Sequence, residues 1–349
     1  MTLQLTLFIP ALLEAMGDET PSRQTPFAAP ALETLLSRSR REQGVAGGNI
    51  AAHFELFGLG VGAGTNDHHP AAALTGLYDG IDSPTDGLWL RADPVHLAAD
   101  RDRVVMAGYD ALAVRPDEAE QLASEFNALF GEDDLTLHTP TSNRWYLRVP
   151  QVPDFSAGAV EEVVGQDVDP HLPRGEGALA WHRLLNEVQM LFHASAVNQA
   201  RQQRGDMPVN SLWFWGGGAL PDAPAVPPWS GVWSNDAVSR ALARYCRTVN
   251  QGLPPTAEEW LDCVGEGRHL VMVDGVRDSL RRGDLAACQA VLDGVENEWI
   301  VPLSAALKSA RLGEVRLMTG DSNAYIATAK TLRRWWARRR PLSHFQRRG

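Results

Sequence analysis

The chain has 349 residues, of which 44% are hydrophobic and 21% charged, with a formal net charge of −11. That balance excludes collagen-like, wholly disordered and small disulfide-stapled classes, and it leaves room for two domains or one large one. The charge is unevenly spread: residues 330–349 hold eight Lys or Arg and no acid, so residues 1–329 carry 24 basic against 43 acidic side chains, a net of −19, unlike a nucleic-acid groove.

Cys246, Cys263 and Cys288 lie too far apart for a CxxC pair, and an odd count suits a reducing compartment. No run of about 18 apolar residues announces a membrane span. The apolar start has no Lys or Arg ahead of it and is interrupted by Pro10 and Glu14. No cleaved leader is therefore expected, and the cytoplasm is the expected location.

Residues 4–9 read as a first strand closed by Pro10, 21–30 as a loop, and 31–41 as a helix with Leu32, Leu35 and Leu36 on one face. Gly58, Gly60, Gly62 and Gly64 form a flexible link. Residues 89–92 read as a strand stopped by Asp93-Pro94, and 104–107 as the next. Pro116 opens an amphipathic helix running to Phe130, and strands at 135–138 and 145–148 complete a strand-rich first part, 1–150. The polar stretch 149–177 is the expected boundary to a second part, 151–349, unless the two interleave as one domain. There a helix runs from Leu179 past His193, burying Trp181, Leu184, Val188 and Leu191. Strands follow at 212–215, 269–273 and 314–318, with a long helical region at 285–307. Gly320-Asp321 has the form of a two-residue hairpin turn. The alternation predicts an α/β sheet layered with helices on both faces.

Several chemistries lack their motif. The glycine series does not have GxGxxG spacing, and no GxxxxGK, GxSxG or HExxH occurs. His68-His69 read as solvent-facing loop histidines. At the basic end, Arg333, Arg334, Arg338, Arg339 and Arg340 surround Trp335-Trp336. The expectation is that these tryptophans dock on the acidic body while the arginines neutralise it; the alternative is a grip on phosphates or an anionic membrane surface.

The most distinctive segment carries His193, Asn198, Arg201 and Arg204, then Asn210 and the run Ser211-Leu212-Trp213-Phe214-Trp215-Gly216-Gly217-Gly218. Residues 212–215 are apolar on both faces, as in a central strand covered by helices. Open α/β sheets place ligands beyond the carboxyl ends of strands, where these glycines fall. His182, Asn186, Gln189 and His193 share one helical stripe. Guanidiniums and glycine amides there would make an anion pocket; otherwise the glycines make a tight turn and the arginines face solvent. A second unusual stretch holds Trp89, Arg91 and Asp93 on one side of a strand, followed by His96. Arg91 is either half of a structural ion pair or a second anion clamp.

The stretches WLRADPVHL…DRD and VNSLWFWGGG, with the Trp/Arg-rich end, resemble the bacterial RpfE-type regulatory proteins. That family is in turn similar to the archaeal-type cofactor-independent phosphoglycerate mutases of the alkaline phosphatase superfamily. Their HPVN…R…PAN…GxG pattern is matched by His193, Asn198, Arg201, Asn210, Gly216 and Gly218, and a substrate-side arginine by Arg91. The resemblance implies an alkaline-phosphatase-like α/β fold.

Mutases of that kind use two metal ions held by Asp and His. Here residues 3–9 run into Pro10-Ala11 where the family has a metal-binding Asp, and Val273-Asp274-Gly275-Val276-Arg277-Asp278 lacks the family's His. The expectation is a non-catalytic regulatory or metabolite-sensing pseudoenzyme without cofactor, catalytic residue or metal ligand. Its phosphorylated or carboxylated ligand would be held by Arg91, Asp93, His96, His193, Asn198, Arg201, Arg204, Asn210, Trp213, Trp215 and Gly216, Gly217 and Gly218. One alternative is a phosphoglycerate mutase or phosphatase with two divalent metals such as manganese or zinc, drawing on Asp93, His96, Asp100, Asp274 and Asp278. Another is a protein-interaction module using the 11 tryptophans and the arginine tail, with a protein partner.

Overall fold

The computed structural model describes residues 2–13, 27–45, 49–60, 69–81, 88–101, 103–107, 109–151, 157–175, 177–273 and 285–345. Its strands are β1 (Gln4–Phe8), β2 (Arg40–Gln43), β3 (Leu88–Asp100), β4 (Arg103–Ala107), β5 (Thr136–His138), β6 (Tyr146–Val149), β7 (Ser211–Trp215), β8 (Gly231–Trp233), β9 (Asn250–Gln251), β10 (Arg268–Met272), β11 (Glu314–Met318) and β12 (Asn323–Ala327). The main helices are α1 (Pro30–Arg38), α2 (Asn49–Leu56), α3 (Ala71–Tyr78), α4 (Pro116–Phe130), α5 (Ala178–Ala194), α6 (Ala196–Arg204), α7 (Ala237–Tyr245), α8 (Ala257–Cys263), α9 (Leu285–Gly294) and α10 (Val301–Lys308). Two compact units result, one from residues 1–60 with 223–349 and one from residues 61–222. The polar stretch 149–177 lies inside the second unit.

The first unit is built on a seven-stranded sheet of order β2-β12-β11-β1-β10-β8-β9. β1 lies between β10 and β11, parallel to both, and buries both of its faces, as parallel strands under helices do. Leu5 and Leu7 join Leu32, Leu35, Trp260, Ile300 and Leu303 in one apolar core; truncating Leu7 to alanine costs about 2–5 kcal/mol. On the other face Phe8 makes a T-shaped contact with His53, their ring centroids 5.8 Å apart. β2 is an edge strand of sequence RREQ, and its charges guard the open edge against pairing with another chain. α1 has no side-chain cap of its own; Glu296 supplies the acceptors, taking the N–H groups of Ala31 at 3.1 Å and Leu32 at 3.2 Å. The helical region expected at 285–307 is α9 and α10 joined by a π-helical turn, Val295–Ile300, just before Pro302, whose missing N–H a continuous α-helix would have to absorb.

Two expectations change in this unit. The β11–β12 connection spans residues 319–322 rather than two residues, because Asp321 accepts the Thr319 hydroxyl at 2.8 Å and the Asn323 side-chain amide at 2.7 Å, closing an Asx-type loop. The tail tryptophans do not dock: Trp335 is 81% and Trp336 66% exposed, while Leu332, Leu342 and Phe345 anchor the tail in the core.

The second unit has an antiparallel sheet in the order β4-β3-β6-β5, with β7 along the other edge of β3. Leu90, Ala92, Leu147 and Phe214 face a core shared with Leu122 and Phe126 of α4 and Val188 and Phe192 of α5. β3 does not stop at Asp93-Pro94 but continues to Asp100. The N–H of Ala92 bonds Trp145 on the β6 side, so the ring nitrogen of Pro94 points to that same side, beyond the last β6 partner and before β4 pairing begins at His96. No ladder bond is lost. β7 is buried on both faces as expected, yet it is no central parallel strand: among the described residues it pairs only with β3, antiparallel. Apolar character on both faces reports what covers a strand, not what lies beside it. Of the glycine link, Gly62 and Gly64 lie outside the described residues.

Candidate functional site

The sequence-selected residues fall into two polar clusters on opposite faces of the second unit's sheet. Cross-strand register puts Arg91 beside Tyr146 on one flank and Trp215 on the other. Asp93 is fully buried and Arg91 is 2% exposed. Arg91 donates to Asp93 Oδ1 from Nε at 3.1 Å and from Nη2 at 2.5 Å, and Trp215 Nε1 donates to Oδ2 at 2.6 Å. The guanidinium lies over the rings of Tyr146 at 5.4 Å and Trp215 at 5.2 Å, a favourable cation–π arrangement. Burial raises the Asp93 carboxyl above the usual range, against the pull of Arg91 and the Trp215 N–H. Beside this pair the Tyr146 hydroxyl donates to Asp79 at 2.5 Å, and Arg144 grips the same carboxylate at 2.8 and 2.6 Å. Burial pushes the Tyr146 phenol up.

The second cluster lies behind α4 and α6. Arg201, 1% exposed, donates to the Met207 carbonyl at 2.9 Å, to Glu118 and to the Leu112 carbonyl. Arg204 reaches Glu118 and, at 2.9 Å, Asp206. Glu118 also takes the Arg115 N–H at 3.1 Å, closing the first turn of α4. Burial works to raise its carboxyl, but that N–H and the two guanidiniums outweigh it and hold it below the usual range.

The remaining polar candidates bind backbone. Asn198 donates to the carbonyls of Phe192 and Val209, each at 2.7 Å, and accepts the Val209 N–H. Asn210 pairs with both backbone groups of Leu97 at 2.8 and 2.9 Å. His96 Nδ1 sits 2.9 Å from the Pro208 carbonyl, and Trp213 Nε1 donates to Gly158 at 2.9 Å. His193 is exposed in the last turn of α5. The glycines close a turn: Gly216 has φ 68° and its carbonyl accepts the Ala72 N–H at 2.9 Å, a Cβ on Gly217 would come within 2.5 Å of Leu90 Cδ2, and Gly218 has φ 136°. Arg91 and Arg201 therefore do not converge on one pocket; each is engaged by internal acceptors. Asp79, Glu118, Arg144 and Tyr146 were not among the sequence candidates. Glu118 alone had a local signal, standing two residues after the helix-opening Pro116 where a carboxylate caps the first turn.

In the first unit, the carboxyl edge of the parallel sheet is where the fold class places ligands. β1 leaves that edge through Ile9, Pro10, Ala11, Leu12 and Leu13, all buried, with Ile9 and Ala11 bonded to the carbonyls of Met318 and Thr319. Beside it, Asp236 caps α7 by accepting the Ser239 N–H and hydroxyl, each at 2.7 Å, and lies 3.4 Å from His53 Nε2. Asp321 is taken up by its own loop. Among the described residues no three His, Cys, Asp or Glu side chains gather where they could hold a metal ion. Asp274 and Asp278 lie outside the described residues.

The scaffold is of the phosphoglycerate-mutase-like α/β kind. No family model matches the chain. It is 26% identical over 217 residues to a protein named as a probable 2,3-bisphosphoglycerate-independent phosphoglycerate mutase of Geobacter sulfurreducens, covering 60% of this chain and 53% of that one. It is 22% identical over 224 residues to a 2,3-bisphosphoglycerate-independent phosphoglycerate mutase of Methanosarcina mazei, covering 60% and 52%. The chain thus spans about half the length of these curated relatives. The structure of PH0037 protein from Pyrococcus horikoshii shares the fold with a TM-score of 0.54 at 13% identity, over 94% of this chain and 87% of that one. Among the described residues no helix is long and apolar enough to cross a membrane.

Proposed function

We propose that the chain is a non-catalytic regulatory or metabolite-sensing protein on a mutase-like scaffold, in keeping with its resemblance to the RpfE-type proteins. The observation that carries this reading is the carboxyl end of β1. Metal-activated phosphoryl displacement needs anionic ligands at the edge where reacting groups sit, and residues 9–13, which leave β1 at that edge, are buried and bring no anionic side chain to it. A phosphorylated or carboxylated small molecule is the expected ligand, and a protein partner the expected receiver of the signal. Metal analysis of protein purified without chelator tests the first part, with less than 0.1 equivalent expected and stoichiometric manganese or zinc overturning it. Thermal shift with 3-phosphoglycerate tests the second: at 100 times its dissociation constant a ligand adds about 2.7 kcal/mol of stability, and no shift at millimolar concentration sinks the sensing of that compound.

The names of the relatives favour a second reading, a metal-dependent phosphoglycerate mutase. Asp274 and Asp278 would then have to supply ligands, and their replacement by Asn would abolish turnover without lowering Tm.

A further inference from the structure

The arginine tail builds a cleft that neither the relatives' names nor the proposed role accounts for. Within the first unit, a cleft of about 710 Å³ is lined by Arg41, Arg338, Arg339, Arg340, Tyr325 and Trp336, among others. That volume is in the range of sites for small organic ligands, roughly 300–1,000 Å³. The floor is fixed: Leu342 and Phe345 anchor the tail in the core, Glu33 holds Arg339 at 3.3 Å and the Leu342 N–H at 3.3 Å, and Ser37 accepts the Arg340 N–H at 3.0 Å. Glu33 is thus the one carboxylate that ion-pairs with these four arginines among the described residues. Four guanidiniums against one acid, on a chain whose remainder is strongly acidic, concentrate positive potential in this cleft.

Two further observations indicate what the cleft receives. Tyr325 is 1% exposed, with Arg41 over its ring at 5.4 Å, and its hydroxyl lies close to Asp321 and Arg41. Burial pushes that phenol up to about 12, so at neutral pH it keeps its proton and adds no negative charge to the arginine cleft. Trp336, 66% exposed at the wall, stands edge-on to Trp335, their ring centroids 6.0 Å apart. Guanidinium forks match phosphate geometry, and an exposed indole beside arginines is a surface on which a nucleobase stacks. We propose that this cleft binds a nucleoside polyphosphate, its phosphates held by Arg41, Arg338 and Arg340 and its base stacked on Trp336.

Calorimetric titration of the full chain with ATP, ADP and inorganic triphosphate tests this, with intrinsic stability followed by thermal unfolding. Micromolar binding of ATP is expected. Arg338→Gln should weaken both ATP and triphosphate at least 10-fold, whereas Trp336→Ala should weaken ATP about 10-fold and leave triphosphate unchanged. No ATP binding at millimolar concentration overturns the proposal, and equal affinity for ATP and triphosphate overturns the base subsite. Tighter binding to phosphatidylserine vesicles or to a single-stranded oligonucleotide than to ATP, lost in Trp336→Ala, would likewise overturn it in favour of a membrane or a nucleic acid. The metal content of the protein bears on none of these outcomes, so this proposal and the non-catalytic reading fail separately.

Discussion

Replacing Asp93 by Asn leaves a fully buried arginine without its counter-charge. Three N–H donors, Nε and Nη2 of Arg91 and Nε1 of Trp215, converge on two carboxylate oxygens, and an amide offers only one oxygen, turning its own N–H₂ against the remaining donor. Arg91 cannot escape by losing its proton, since guanidinium stays charged in proteins. Breaking one partner of such a buried pair costs about 3–5 kcal/mol. For a unit of the size of residues 61–222, each kcal/mol moves Tm by roughly 2–4 °C, so Asp93→Asn should lower that unit's Tm by about 6–20 °C in calorimetry. The double variant Arg91→Met with Asp93→Leu removes the stranded charge and should recover at least about 2 kcal/mol, since apolar replacement of a whole buried pair is often neutral. An Asp93→Asn protein within about 1 kcal/mol of the parent would refute the buried-pair account, and so would a double variant worse than the single.

Two other perturbations test separate parts of the structure. Gly217→Ala drives a methyl to 2.5 Å from Leu90 Cδ2, and overpacking of this kind should cost about 1–3 kcal/mol in urea unfolding; a neutral result would mean that the turn shifts freely. Burial holds the His269 ring below its ordinary value, against hydrogen bonds to the Gly265 and Glu266 carbonyls, and burial with nearby Arg148 does the same for His138. Both rings are therefore neutral in the fold, and the stability they confer is complete above about pH 6.5 and lost as pH falls toward their lowered values. Tm should drop between pH 7.5 and 5.5, and His269→Asn should flatten that slope; an unchanged slope assigns the effect elsewhere.

Periodicity located most elements because it reports burial directly: the residue pairs Leu5/Leu7 and Leu184/Val188 lie in the cores where their spacing put them. Pairing partners were not legible. Nothing local in Asp93-Pro94 tells that the proline nitrogen will face a gap between β6 and β4, and nothing in β7 tells that it pairs with a strand more than a hundred residues earlier. The same limit governed the site. Arg91, Asp93, Arg201 and Arg204 stand out in sequence as charge among apolar residues, but whether such charge meets a ligand or an internal partner depends on Trp215 and Tyr146, which strand register places beside Arg91, and on Glu118, which the packing of α4 against α6 brings to Arg201 and Arg204. The tail misled for a different reason: Trp335-Trp336 has the composition of a docking segment, yet Leu332, Leu342 and Phe345 occupy the core and leave the indoles outside.

The proposed non-catalytic role requires that no phosphoryl transfer take place at the carboxyl edge of the parallel sheet. Interconversion of 3- and 2-phosphoglycerate, followed by enzyme-coupled assay and phosphorus NMR with saturating manganese and no bisphosphoglycerate, measures it most directly. The account predicts a rate indistinguishable from the protein-free control. Manganese-dependent turnover that vanishes in Asp274→Asn would contradict it.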